Sequence, residues 1–289
     1  MLIGIIFAVM VAIFWSLGEI NYSRLARSVD KANVYFYQYL IRATLYLTVA
    51  IIFNIEVFLH FSFDTLLVFL PVILCDLFSS LAINIAVSNG KLSVVSPIMA
   101  AYPIVDIFLG LILLKEKIGA IEIVLSIIIT LSIVVLAKNQ KKSESSPHPI
   151  KGIIFATIYM LLVATSIFCE KSAYVGNYSF TDLYFYKGLI YLFTSGVFML
   201  LIGVTPIKLK KPSLKILKGA GITPLGNISN SFALSFGNMV IVTPISSMYS
   251  VLTHFLSRKV LKEKVTLKES ICIGLILLGT IALITFSLL

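Results

Sequence analysis

Apolar residues fill this chain in ten long runs that are separated by short polar stretches. Cutting the chain at charged residues, glycine and proline gives the segments 2–23, 33–54, 64–88, 92–114, 118–137, 151–174, 180–203, 213–236, 240–260 and 266–288. Each run is close to the about 20 apolar residues that a helix needs to cross the hydrocarbon core of a bilayer. The pattern predicts an all-α integral membrane protein with ten transmembrane helices.

The composition indicates the same class. Of the 289 residues, 59% are hydrophobic and 12% are charged, with a mean hydropathy of +1.03. A soluble domain of this size could not cover its surface with so few polar groups. The first run has no basic leader and no small-residue cleavage site follows it, so we expect a retained membrane span in the cell membrane.

One stretch of the chain occurs twice. Residues 97–117 and 244–264, at an offset of 147, are identical at nine of 21 positions, and both end in Leu-Lys-Glu-Lys. An apolar chain would give about two such identities by chance, so the sequence contains an internal duplication. The sequence Gly-Ile-Ile-Phe-Ala at residues 4–8 also recurs at residues 152–156.

The duplication divides the chain into two units of five helices. The first repeat is residues 1–138, the second is residues 151–289, and the polar residues 139–150 form a predicted cytoplasmic linker. Because five is odd, the second repeat must enter the membrane with the opposite polarity. Two inverted five-helix repeats are an architecture that secondary transporters use for alternating access.

The distribution of lysine and arginine predicts the orientation. Of the 23 basic residues, eighteen fall in the loops on the side of the linker, three fall on the other side and two lie within spans. Since cytoplasmic loops carry an excess of basic residues, both termini are predicted to be extracellular. The net charge is +10, but the basic residues are scattered singly through these loops, so no nucleic-acid partner is expected.

The chain resembles the drug/metabolite transporter superfamily, and within it the EamA-type ten-helix transporters. The resemblance rests on the repeat layout, on Phe14-Trp15-Ser16 in the first helix, on Arg42 in the second, on Pro103 in the fourth and on the two Leu-Lys-Glu-Lys ends. It implies that helices 1–4 and 6–9 surround a central cavity, with helices 5 and 10 outside. It also implies transport of amino acids, nucleotide-like metabolites, choline or drugs. Members of this family commonly have their termini in the cytoplasm, which is the opposite of the orientation that the count of basic residues predicts.

Ionisable side chains inside the membrane cost roughly 2.5–3.5 kcal/mol each, so each one is a candidate for function. Asp106 lies near mid-membrane in the fourth helix. Asp76 begins a polar stripe with Ser80 in the third helix, and Asn227 and Asn230 form a similar stripe in the second repeat. The alternative for both stripes is hydrogen bonding that holds helices together.

A third group of candidates shares one face of the second helix. Tyr35, Gln38, Tyr39 and Arg42 follow a spacing of i, i+3, i+4 and i+7, and Tyr184, Lys187 and Tyr191 repeat that face in the seventh helix. Two matched faces with cations and tyrosines predict the lining of a cavity. The alternative is a structural ion pair of Arg42 with Asp76 or Asp106.

The remaining candidates are weaker. Trp15 and Glu19 share a face of the first helix, and Glu19 is equally compatible with an interfacial carboxylate. His254 could relay protons. Glu170 and Lys171 are predicted to snorkel to the outer interface, and the Lys-Glu-Lys ends are predicted to mark helix termini.

The sequence therefore predicts a secondary-active transporter or exchanger of a small polar metabolite, zwitterionic and amino-acid-like. The predicted substrate-binding residues are Trp15, Glu19, Tyr35, Gln38, Tyr39, Arg42, Asp76, Ser80, Tyr102, Asp106, Tyr184, Lys187, Tyr191, Asn227, Asn230, Tyr249 and His254. No catalytic residue, metal or cofactor is predicted, because nucleotide-binding and metal-site motifs are missing from the sequence. Protons are a candidate coupling ion, and a monomer is compatible with the sequence. The alternatives are a multidrug or organic-cation exporter and a membrane-embedded enzyme.

Overall fold

A computed structural model describes residues 1–26, 31–59, 61–90, 92–138, 148–201, 214–261 and 267–288. Its helices are α1 (Leu2–Ala26), α2 (Lys31–Phe53), α3 (Phe63–Asn89), α4 (Leu92–Met99), α5 (Pro103–Ile112), α6 (Ala120–Lys138), α7 (Pro149–Val175), α8 (Phe180–Leu201), α9 (Leu214–Phe236), α10 (Met239–Ser247), α11 (Tyr249–Leu261) and α12 (Leu267–Leu288), with one short 3-10 helix at Ile55–Phe58. Most of the predicted linker, the second Lys-Glu-Lys end and the Tyr35 side chain lie outside the described part.

Two segments that we predicted as single helices are each broken in two. Segment 92–114 divides into α4 and α5, and segment 240–260 divides into α10 and α11. At both junctions the backbone makes hydrogen bonds between residues three apart in the chain, as in a 3-10 turn. Ala101 N donates to Ile98 O at 3.2 Å, and the equivalent Met248 N donates to Ile245 O at 3.2 Å. Pro103, which has no amide hydrogen, starts α5. The break recurs at the same repeat position, so it belongs to the repeat.

Apolar length is sufficient for membrane crossing in six places within the described part of the chain. These are Leu2–Asn21, Phe36–Phe53, Phe63–Asn89, Val95–Ile112, Ile150–Val175 and Met239–Leu256. Val95–Ile112 and Met239–Leu256 each run across one of the two helix breaks, so each broken pair has the length of one crossing. The count of ten crossings remains a prediction.

The second helices of the two repeats, α2 and α8, pack against each other in antiparallel directions. Tyr39 near the start of α2 packs on Tyr191 with ring centroids 5.4 Å apart. Phe53 at the end of α2 packs on Phe180 at the start of α8, at 5.3 Å. Because the two helices are copies of one another, an axis that exchanges them must run across their length rather than along it.

Glycine contacts show the same exchange between the repeats. A Cβ built on Gly4 in α1 would lie 3.0 Å from the Cα of Gly237, which follows α9, and a Cβ built on Gly152 in α7 would lie 2.6 Å from the Cα of Gly90, which follows α3. Gly4 and Gly152 are repeat equivalents, and so are Gly90 and Gly237. The first helix of each repeat thus packs against the turn after the third helix of the other repeat, as two-fold symmetric contacts require.

Candidate substrate site

Four ionisable side chains from four helices form a group that we call the charge cluster: Arg42 on α2, Glu170 on α7 and Lys187 on α8, which are buried, and Asp76 on α3, which is partly exposed. The Lys187 Nζ lies 3.5 Å from Asp76 Oδ2 and 4.0 Å from Glu170 Oε2. The side chains of Lys187 and Glu170 are 4% exposed, and that of Asp76 is 15% exposed. The cluster contains two acids and two bases, so its formal charges cancel.

Tyrosine rings close the space around Lys187. Its Nζ lies 5.9 Å from the ring centroid of Tyr46 and 5.9 Å from that of Tyr184. At about 6 Å an ammonium is attracted by the negative face of an aromatic ring. The Tyr184 hydroxyl donates to Asn227 O at 3.0 Å and is 2.5 Å from Ser231 Oγ, which fixes the ring against α9.

The same network orients the Glu170 carboxylate. Its Oε1 accepts hydrogen bonds from Ser231 Oγ and, at 2.8 Å, from the Tyr174 hydroxyl one turn later on α7. A buried carboxylate is stable only where such donors and a nearby cation replace its water. We predicted from the sequence that Glu170 would snorkel to the interface, and that prediction is wrong, because the side chain turns inward between α8 and α9.

Arg42 lies where the equivalent positions of the two repeats meet. Its Nη1 donates to Ser80 Oγ and to the Tyr191 hydroxyl at 3.4 Å, and its guanidinium carbon is 5.8 Å from the Tyr191 ring centroid. Arg42 and Tyr191 occupy the same repeat position. Ser80 in turn donates to the backbone oxygen of Asp76 at 2.8 Å, so Arg42 and Asp76 are joined through one turn of α3.

The only tryptophan of the chain, Trp15, joins the charge cluster to a second group that we call the aromatic cluster: Trp15, Tyr102 and Tyr249. Its ring lies edge-on to Tyr102 at 6.1 Å and to Tyr249 at 5.6 Å, and these tyrosines are repeat equivalents. The indole Nε1 donates to Asn227 Oδ1 at 3.0 Å, and Asn227 Nδ2 donates to the Tyr46 hydroxyl at 2.9 Å. One side chain therefore contacts both repeats.

Glu19 on α1 is buried between three helices rather than placed at an interface. It is 3% exposed. Its Oε2 accepts hydrogen bonds from Ser96 Oγ on α4 at 2.5 Å and from Thr253 Oγ1 on α11 at 2.8 Å. Of the two alternatives that the sequence left open, burial excludes the interfacial one, and the carboxyl links the two repeats.

The other predicted residues whose side chains the structure describes are also buried. Asp106 on α5 is 0% exposed, and within the described residues neither of its carboxyl oxygens has a hydrogen-bond partner. Gln38 and Tyr39 are buried on α2, Asn230 is buried on α9, and His254 is buried on α11 beside Thr253. Asp106 is one turn after Tyr102 on the chain, near the aromatic cluster.

Lys171 and the first Lys-Glu-Lys end make hydrogen bonds at the turn between α9 and α10. The Lys171 Nζ donates to Leu234 O and Gly237 O, both at 2.8 Å, and its predicted snorkelling to the outer interface stays a prediction. Glu116 accepts from Met239 N at 2.7 Å and Val240 N at 3.0 Å. A cation at the end of α9 and an anion at the start of α10 both match the helix dipoles.

The sequence reading missed Tyr46, Glu170, Ser96 and Thr253 as site residues. A signal existed for the first: Tyr46 continues the face of α2 one turn beyond Arg42. Glu170 and Tyr174 are also one turn apart on α7. No comparable signal exists for Ser96 and Thr253, because their role depends on where α1 packs.

Comparison with known proteins agrees with this architecture. The model of the EamA-like transporter family matches residues 2–138 and residues 150–285. The chain therefore belongs to the EamA-like transporter family, which is part of the drug/metabolite transporter superfamily. Members of this family are membrane transporters, and the class of protein expected from the sequence is confirmed.

One solved crystal structure superposes on the chain with a TM-score of 0.70 and 12% sequence identity, over 96% of this chain and 95% of the other. At that identity the likeness shows a shared fold alone. No curated protein matches the sequence.

Proposed function

We propose that this chain is a secondary-active transporter or exchanger of a small, amino-acid-like zwitterion across the cytoplasmic membrane. The observation that carries the proposal is the charge cluster, in which two acids and two bases lie between helices of both repeats and three of the four are buried. A zwitterion adds no net charge, so it can enter such a site without leaving an uncompensated charge in a medium where that is costly.

Arg42 is the group proposed to bind the anionic end of the substrate. A guanidinium is permanently charged and holds a carboxylate through two parallel hydrogen bonds. Asp76, 15% exposed and paired with Lys187, is proposed to bind the cationic end. Trp15, Tyr102 and Tyr249 would contact the apolar part of the substrate.

Alternating access is proposed to arise from the two repeats tilting about their shared contacts. The antiparallel packing of α2 and α8 supports repeats of opposite polarity in the membrane, with ten crossings in all. At Gly4 and Gly152 the two repeats approach each other through backbone atoms. Glu19, bonded to hydroxyls of both repeats, is the side chain we propose for proton coupling.

Thermal unfolding of the purified protein tests the substrate class, because a ligand that binds the native state raises the apparent stability. We would compare three matched compounds: an α-amino acid, its amide, which is a cation, and the acid without the amino group. Repeated over a set of side chains, the test should give a Tm rise with one or more amino acids and not with their single-charge analogues. Anions that stabilise the protein as well as the amino acids do would contradict the proposal.

An organic-cation exporter is the second candidate function. The Tyr46 and Tyr184 rings around an ammonium favour it, since aromatic rings and carboxylates together bind cations. The same assay separates the two functions, because the amide would then raise the Tm and the amino acid would not.

The orientation of the chain is proposed from its basic residues, with both termini outside. A C-terminal fusion to a reporter that fluoresces only in the cytoplasm should then be dark. Bright fluorescence would reverse the assignment and give the orientation that is usual in the family.

A further inference from the structure

The ammonium of Lys187 occupies a cage with the features of a ligand site. Carboxylates of Asp76 and Glu170 lie 3.5 Å and 4.0 Å from its Nζ, and two tyrosine rings lie 5.9 Å from it. Hydrogen bonds to Ser231, to Asn227 and among the helices hold these groups in place. Each of the four surrounding side chains interacts favourably with a positive charge.

The repeat partner of Lys187 indicates that the backbone does not need a cation at this position. Gln38 is the equivalent residue on α2, and it is buried at 3% exposure as a neutral side chain. Helix packing at this position therefore accommodates an uncharged residue of similar length. The positive charge at Lys187 matches the two acids, which come from α3 and α7.

We infer that Asp76, Glu170, Tyr46 and Tyr184 form the ammonium subsite of the transporter, and that Lys187 fills it as a tethered occupant which the substrate ammonium displaces. The inference rests on the proposed function. The displaced Lys187 would turn toward the substrate carboxylate beside Arg42. Two positive and two negative protein charges would then face one negative and one positive substrate charge.

Shortening Lys187 tests whether the cage binds an ammonium that is not tethered. Lys187→Ala removes the four atoms beyond Cβ, and n-propylammonium has the same number of heavy atoms. Lys187→Met keeps most of the stem and leaves room for an ammonium ion alone. Both variants are expected to lower the Tm, because the carboxylates of Glu170 and Asp76 lose their cation.

We expect each variant to be stabilised by a different amine, the one that fits the space its substitution leaves. Propylammonium chloride should restore roughly half or more of the Tm lost by Lys187→Ala, whereas n-propanol and sodium chloride at equal concentrations should not. Lys187→Met should instead respond to ammonium chloride and not to propylammonium. Wild-type protein, whose cage is filled, should respond to neither. If Lys187→Ala yields no folded protein, the Lys187→Met variant with ammonium against sodium decides the test.

A second substitution locates the rescue. Adding Asp76→Asn to Lys187→Ala should abolish the effect of propylammonium, because half of the negative charge of the cage is gone. Equal effects of propylammonium and propanol, or rescue of all variants by both amines, would overturn the inference. Its failure is distinguishable from failure of the proposed function, because the rescue needs no transport and the amino-acid assay uses wild-type protein.

Discussion

The two repeats share their backbone contacts but divide the chemistry of the site unequally. Gly4 and Gly152 are equivalent, as are Gly90 and Gly237, and the two pairs make equivalent backbone contacts. By contrast, repeat equivalence pairs Trp15 with Val163 and Glu19 with Ile167. These glycine positions, where backbones touch, are thus the same in both repeats, whereas these two positions of the candidate site differ. The repeats are therefore symmetric in these backbone contacts and asymmetric in the side chains of the candidate site.

The largest expected effect concerns the shared glycines. Gly152→Ala would put a Cβ 2.6 Å from the Gly90 backbone, and Gly4→Ala would put one 3.0 Å from the Gly237 backbone. Overpacking of this kind costs about 1–3 kcal/mol, and the closer contact should cost more. Thermal unfolding should therefore rank Gly152→Ala below Gly4→Ala and both below wild type.

Gly196→Ala on α8 is the matched control for these variants. Within the described residues, no atom outside its own stretch of helix lies within 4 Å of its added Cβ, and alanine is favoured over glycine in a helix by about 0.8–1 kcal/mol. Its Tm should be equal to or above that of wild type. A loss as large as that of Gly152→Ala would mean that the repeat contact is not the cause.

A smaller effect is expected where the repeats differ in charge. Arg42→Lys keeps the positive charge but loses the planar fork, whereas the equivalent Tyr191 has neither. We expect the affinity for the best-stabilising amino acid to fall by about tenfold or more, equivalent to about 1.4 kcal/mol, with little change in Tm. Titration calorimetry measures this. Unchanged affinity would assign Arg42 a structural role.

The smallest effect separates two equivalent tyrosines. The Tyr102 hydroxyl donates to Thr243 O at 3.4 Å, whereas the buried Tyr249 hydroxyl has no hydrogen-bond partner within the described residues. Tyr102→Phe should cost up to about 1 kcal/mol, and Tyr249→Phe should be neutral or stabilising. Denaturation of the two variants in the same detergent decides the point. The reverse order would contradict this difference between the repeats.

The sequence alone was sufficient to detect the two repeats, because identity at a constant offset does not depend on packing. It also predicted that Tyr39 and Arg42 share one face of α2 and that Tyr184, Lys187 and Tyr191 share one face of α8, since helical spacing alone puts the side chains of each group together. The helix breaks at Ala101 and Met248 were missed because apolar composition is continuous through them. Pro103 was a visible signal at the first break, but no proline marks the second.

The inward direction of the Glu170 side chain could not be predicted. The local sequence around an acid near a helix end is the same whether the acid faces lipid headgroups or a neighbouring helix. Its partners Lys187 and Ser231 come from α8 and α9, and their distance from Glu170 is set by tertiary packing. The same holds for the pairing of Glu19 with Ser96 and Thr253. The seventeen predicted site residues remain a prediction for substrate binding.

The position of Trp15 allows intrinsic tryptophan fluorescence to report on the contact between the two repeats. It is the only tryptophan in the chain, and its indole donates to Asn227 while its ring lies against tyrosines from both repeats. Emission excited at the red edge of indole absorption therefore comes from one known place. A shift of one repeat against the other would change the polarity around that ring, so the wavelength and decay time of unlabelled protein should follow the transport cycle in real time.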